Sequence, residues 1–179
     1  MATHPLMSFA EFERLEQGAD HIELLKGELI RVPPAQRPHM GVSQQLFLLL
    51  FAAVERLRQA SPGLSLGGAY IEMGYRFSGT PVSWLQPDVS LTHPNQPGDR
   101  YFSGAPLIAF EVVSEYDTAR ELDEKVSEYL ANGAAEVWLI YPNKRHAWVY
   151  DGSPAARHET GSIHTSLLPG IDIPLSEIL

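Results

Sequence analysis

Leu107-Ile108-Ala109-Phe110-Glu111-Val112-Val113-Ser114 is an apolar run of strand length that carries a single carboxylate. A nearly unbroken apolar segment fits a strand covered on both faces, of the kind found inside an α/β sheet. An ionised carboxylate taken out of water without a partner costs several kcal/mol, so Glu111 in that setting must be neutral, paired or bound to a cation. The competing reading is an edge strand with Glu111 turned to water. Upstream, Pro87-Asp88-Val89-Ser90-Leu91 places a second carboxylate at the start of a short strand, where the missing N–H of Pro87 does no harm. Asp88 equally fits a turn residue ahead of a strand. Downstream, Glu121 to Asn132 has helical spacing, with Leu122, Val126, Tyr129 and Leu130 as one apolar stripe and Asn132-Gly133 as the stop. If that stripe packs back on the sheet, Lys125 arrives beside Glu111. If it does not, Lys125 is a solvated residue pairing with Glu121 and Glu128. Two acids and a lysine on adjoining elements are the smallest set that supports metal-assisted hydrolysis of a phosphodiester.

The flanking segments extend this core. Ser8-Phe9-Ala10-Glu11 has capping-box spacing and opens a helix to about Gln17. His21 to Leu25 and Glu28 to Val32 read as a hairpin across Lys26-Gly27, with Glu23 and Glu28 as ordinary hairpin residues. His39 to Gln59 is the longest helical pattern, carrying Val42, Leu46, Leu49, Leu50, Ala53 and Leu57 at helical spacing. His39 is either a first-turn residue or a contact to substrate or to the metal's surroundings. Ala69 to Phe77 reads as one strand, His93 to Gly104 as a polar loop, and Glu136 to Tyr141 with His146 to Tyr150 as a second hairpin. Tyr129 and Trp138 fit packing better than base stacking. Strands and helices in this order predict a mixed α/β sheet.

The 179 residues suit a single domain, and without cysteine there is no disulfide, zinc knuckle or thiol nucleophile. The longest apolar stretch, Leu46 to Val54, is far short of the roughly 20 residues that span a bilayer. Met1 to Pro5 lacks the basic flank and apolar region of a secretory leader. A cytoplasmic protein with no membrane partner is expected. Thirteen basic against twenty-two acidic residues give a charge of −9. That opposes a dedicated nucleic-acid binder, which carries a basic face. It opposes a nuclease less, because a bound cation offsets carboxylates gathered around it.

The segments Gln86-Pro87-Asp88-Val89-Ser90, Phe110-Glu111-Val112-Val113-Ser114, Lys125-Val126-Ser127-Glu128-Tyr129-Leu130-Ala131-Asn132-Gly133 and Glu136-Val137-Trp138-Leu139-Ile140, in this order, resemble the Uma-type putative restriction endonuclease family of the PD-(D/E)XK nuclease superfamily. Ile22 to Leu29 is similar to that family's N-terminal hairpin, His39 to a histidine opening its long helix, and Leu168-Pro169-Gly170 to its closing motif. The resemblance covers residues 1–179 as one endonuclease-like domain. It implies an α/β, restriction-endonuclease-like mixed β-sheet core of four or five strands, flanked by helices and preceded by a β-hairpin. It also implies Mg²⁺ or Mn²⁺ between Asp88 and Glu111, to which a strand carbonyl such as that of Val112 could add a neutral oxygen. DNA is the expected substrate, and because cutting both strands of a duplex needs two sites, a homodimer is expected. The superfamily's usual lysine, two residues after the second acid, falls on Val113, and its role passes to Lys125. Glu121 stands where the family has aspartate, and Ser114-Glu115-Tyr116 replaces its Ser-Pro-Ser turn. These changes leave a second reading, a catalytically inactive nuclease fold serving as a binding or assembly module.

Overall fold

The computed structural model describes residues 6–15 and 21–179. Helix α1 (Phe9–Arg14) and the hairpin of β1 (His21–Leu25) and β2 (Glu28–Val32) precede the long helix α2 (Arg37–Ala60). Short strands follow: β3 (Ala69–Ile71), β4 (Tyr75–Phe77), β5 (Ser83–Leu85), β6 (Val89–Leu91) and β7 (Phe102–Ser103). Then come β8 (Ile108–Val112), α3 (Ala119–Ala131), β9 (Glu136–Tyr141), β10 (His146–Tyr150) and β11 (Ala156–His158). The hairpin β12 (Ser162–His164) and β13 (Asp172–Pro174) and the short helix α4 (Leu175–Ile178) close the chain. The expected capping box at Ser8 and Glu11 forms. The expected helix end near Gln17 lies outside the described residues, as do Met1 to Pro5.

Two sheets form the body. One has the order β11-β10-β9-β8-β6-β3, the other β2-β1-β5-β4-β7. The core sheet therefore has six strands rather than four or five, with a second sheet beside it. Ala69 to Phe77, expected as one strand, splits between the two sheets. Glu72 turns there with φ of 47°, and a Cβ at Gly74 would collide with the Trp84 indole, so the chain passes close against β5. That break sends β3 to the first sheet and β4 to the second.

β8 lies inside the six-stranded sheet, antiparallel to β6 and parallel to β9, and all five of its residues are buried. Strand alternation then decides where each side chain goes. Ile108 and Phe110 pack with Leu46, Leu50 and Ala53 of α2. Ala109 packs on the other side with Leu122, Val126 and Tyr129 of α3 and with Tyr75, Phe77 and Leu85 of the second sheet. Glu111, two residues on from Ala109, shares that second face. α2 starts at Arg37 and accepts Pro38 in its first turn, where no N–H partner is lost. By length and composition α2 could cross a bilayer, yet its Leu46, Leu50, Ala53 and Leu57 stripe is buried on the sheet.

α3 is set by its cap. Thr118 accepts from the Glu121 N–H at 3.2 Å, and the Glu121 carboxylate takes the Thr118 hydroxyl at 2.7 Å. Glu121 is thus spent on the helix end. Glu128 accepts the Ser83 hydroxyl at 2.7 Å and lies 3.9 Å from Lys26 Nζ. Both carboxylates that could have held Lys125 at the surface are engaged elsewhere, and Lys125 turns inward.

Candidate active site

The register of β6 and β8 brings the two predicted acids together. Val89 faces Phe110 and Ser90 faces Ala109, so one step further places Asp88 opposite Glu111. The ladder ends there, and a side chain takes over: the Val112 N–H donates to Asp88 Oδ2 at 2.7 Å. Asp88 Oδ1 lies 3.4 Å from His39 Nε2 in the first turns of α2. The Val112 carbonyl also approaches His39. His39 Nδ1 is buried with no hydrogen-bond partner. The Asp88 hydrogen bond outweighs partial burial and raises the His39 pKa above 6.5.

Glu111 is 7% exposed, so the edge-strand reading fails. Its Oε1 accepts the Tyr129 hydroxyl at 2.9 Å and lies 3.5 Å from Lys125 Nζ. Burial holds its carboxyl well above the usual carboxylate range; Lys125 opposes that, while Glu23 and Asp88 add to it. Burial alone would lower the Lys125 pKa. Glu111 and Glu23 override it and keep the ammonium charged. The packed stripe of α3 therefore delivers Lys125 to the strand acid, and the solvated-helix reading is overturned.

The residue that sequence reasoning assigned no role is Glu23. It is 2% exposed, its Oε2 lies 2.6 Å from Lys125 Nζ, and its Oε1 accepts the Gln86 N–H at 2.8 Å. The Lys125 contact is an ion pair rather than a well-directed hydrogen bond. Ile22 and Leu24 on the opposite face of β1 pack with Phe9, Phe12 and Trp84, so the strand is covered on both sides. Ile22-Glu23-Leu24-Leu25 bears the same signature as Phe110-Glu111-Val112-Val113, one acid within an apolar strand. Glu28, by contrast, is exposed as expected of a hairpin residue. Val113, where the superfamily's lysine would stand, packs at the edge of the α3 core and brings no charge to the site.

These groups line a cleft of about 600 Å³ between the first hairpin, the start of α2, and the turn that joins β8 to α3. A hard divalent cation takes oxygen ligands and keeps several waters, so it needs few protein groups. The site offers hard oxygen donors in Asp88, Glu111 and the Val112 carbonyl. Its three carboxylates, Glu23, Asp88 and Glu111, exceed the single ammonium of Lys125. Among the described residues no three His, Asp or Glu side chains form a ready-made cage. Donor chemistry therefore fits a partly hydrated cation, not an all-protein site.

The family model of the Uma2 putative restriction endonuclease matches residues 9–176. The chain belongs to this family. The Uma2 chain is also similar in structure to a putative nuclease of DUF820 from Anabaena variabilis ATCC 29413, with TM-score 0.79 and 16% identity over 96% of this chain and 97% of that one. At that identity the likeness is one of fold. No curated protein matches the sequence. Family and fold together make this a Uma2 chain of nuclease type with a restriction-endonuclease-like α/β architecture.

Proposed function

We propose that the chain hydrolyses DNA phosphodiesters with the help of Mg²⁺ or Mn²⁺, using Asp88, Glu111 and Lys125. The observation that carries this reading is the convergence of Lys125 Nζ on Glu111 at 3.5 Å and Glu23 at 2.6 Å, in the cleft where Asp88 faces Glu111. Asp88, Glu111 and the Val112 carbonyl would hold the cation. When bound, such an ion polarises a phosphoryl oxygen and lowers the pKa of an attacking water.

The chain's own groups do the rest. Tyr129 and Lys125 fix one oxygen of Glu111, leaving the carboxylate oriented before substrate arrives. The Val112 N–H does the same for Asp88. Lys125, held charged by two acids, orients the water and stabilises charge that builds on the phosphoryl oxygens. Glu23 anchors the Lys125 ammonium so that the ion is aimed rather than mobile. His39, beside Asp88, steadies the second acid from the helix side.

The test is cleavage of plasmid and oligonucleotide DNA with Mg²⁺ or Mn²⁺, comparing wild type with Asp88→Asn, Glu111→Gln and Lys125→Ala. Metal-dependent cleavage that falls by roughly 100-fold or more in each variant is expected. A second readout is thermal: millimolar Mn²⁺ raises the wild-type Tm, because a ligand that binds only the folded state stabilises it, and Asp88→Asn loses that rise. Equal trace activity in all four proteins, with no metal-dependent Tm shift, overturns the assignment and leaves the non-catalytic scaffold reading.

A further inference from the structure

We infer that the cleft takes a single DNA strand rather than a duplex, with Tyr116 as the surface on which one base stacks; this rests on the DNA-hydrolysis reading above. Tyr116 lies in the turn after β8 and is 55% exposed. Among the described residues, it is the one exposed large hydrophobic side chain that lines the cleft. An exposed aromatic face is a sequence-tolerant platform for a nucleobase.

The turn holds that ring in place. The Ser114 N–H and hydroxyl both donate to Asp117 Oδ2, at 2.7 and 2.8 Å, and the Tyr116 N–H donates to Ser114 Oγ at 3.2 Å. From the opposite side, Gln36 Nε2 donates to the Tyr116 hydroxyl at 3.3 Å and reaches Glu115 Oε1 at 3.5 Å. The ring therefore stands where the segment leading into α2 meets the turn after β8. A stacking surface fixed in advance loses little conformational freedom on binding.

Charge argues against a duplex. Among the described residues, seven carboxylates line the cleft against His21, Arg31, His39 and Lys125. A cation between Asp88 and Glu111 offsets the inner acids, but Glu115 and Asp117 flank Tyr116 at the rim. A duplex brings two phosphate backbones, and one of them would have to pass that rim. A single strand can lay its one backbone toward Arg31 and His39 and turn its bases toward Tyr116. Size agrees: about 600 Å³ is within the roughly 300–1,000 Å³ range of pockets that enclose one drug-sized ligand, which suits a base and its phosphate. A single strand also needs only one site, which removes the functional reason for a homodimer.

Binding of short labelled oligonucleotides, followed by fluorescence anisotropy with Ca²⁺ in place of Mg²⁺, tests this apart from cleavage. Single-stranded DNA should bind more tightly than its duplex. Tyr116→Ala should weaken single-strand binding by roughly 5- to 150-fold, as loss of one stacking contact does. Tyr116→Phe and Tyr116→Trp keep the aromatic face and should bind close to wild type. All three variants should retain the wild-type Tm, since the side chain is exposed. Tighter duplex binding, an unchanged affinity in Tyr116→Ala, or tighter binding of the matching oligoribonucleotide each overturns the inference. The two readings fail separately. Tyr116-dependent single-strand binding without metal-dependent cleavage would sink hydrolysis and keep this inference; metal-dependent duplex cleavage indifferent to Tyr116 would do the reverse.

Discussion

Lys125 carries two duties that pull in different directions. Its ammonium lies between Glu23 and Glu111, so removing it strands buried carboxylates and also removes the charge proposed to act on the phosphoryl oxygens. Breaking a buried ion pair from one side costs roughly 3–5 kcal/mol, much of it the desolvation of the partner left behind. Lys125→Met should therefore lower stability by about that much in urea unfolding, and adding Glu23→Gln to the same chain should recover part of the loss. An additive double variant would mean the two groups are not coupled. His39 gives a pH-dependent counterpart. Its folded-state pKa is raised by Asp88 above 6.5, so its pairing contributes fully below that value and is lost as pH rises through the higher folded value. The stability difference between wild type and His39→Gln should shrink with rising pH over that window; a difference flat in pH would refute it. At this scale the sequence was readable at Glu111 because an acid in an unbroken apolar strand is costly wherever it sits. Glu23 offered the same signature, but its burial depends on α1 and Trp84 covering the far face of β1, which no local pattern reveals.

The elements that were easiest to read are those with a strong period or an explicit terminus. β1 and β2 fall at the expected bounds, and α2 and α3 each begin two residues before their expected starts. In α3 the cap was hidden by the reading of Glu121 as a partner for Lys125. Thr118 and Glu121 form the capping box instead, and this fixes the helix on which Lys125 rides. Thr118→Ala should destabilise the protein by about 1 kcal/mol, the usual cost of losing an N-cap side chain, visible as a lower urea midpoint at unchanged slope. The stretch from Ala69 to Phe77 was misread because short strands that change sheets keep their apolar alternation through the break. What divides them is the positive φ at Glu72 and the tight passage of Gly74 past Trp84, both tertiary facts.

In the whole molecule the site is a seam. Asp88, Glu111 and Lys125 belong to the six-stranded sheet and its helix, whereas Glu23 comes from the other sheet. The presence of a mixed sheet flanked by helices was legible, since alternating strands and helices leave few other layer arrangements. The second sheet was not, because its strands are three residues long or less apart from the hairpin and carry too little pattern to count. Within that sheet the first hairpin is held by a short ladder: β1 meets β5 in a register centred on Leu24 and Trp84, and Glu23 accepts the Gln86 N–H. Regions joined by few links open as separate cooperative units in amide hydrogen exchange. The amides of β1 and β2 should thus exchange faster than those of β8 and β9. If a cation and substrate draw Glu23 and Glu111 together through Lys125, the slow-exchanging region should spread from the second pair of strands into the first, and occupancy of the site would be recorded in the protection of a hairpin that belongs to the other sheet.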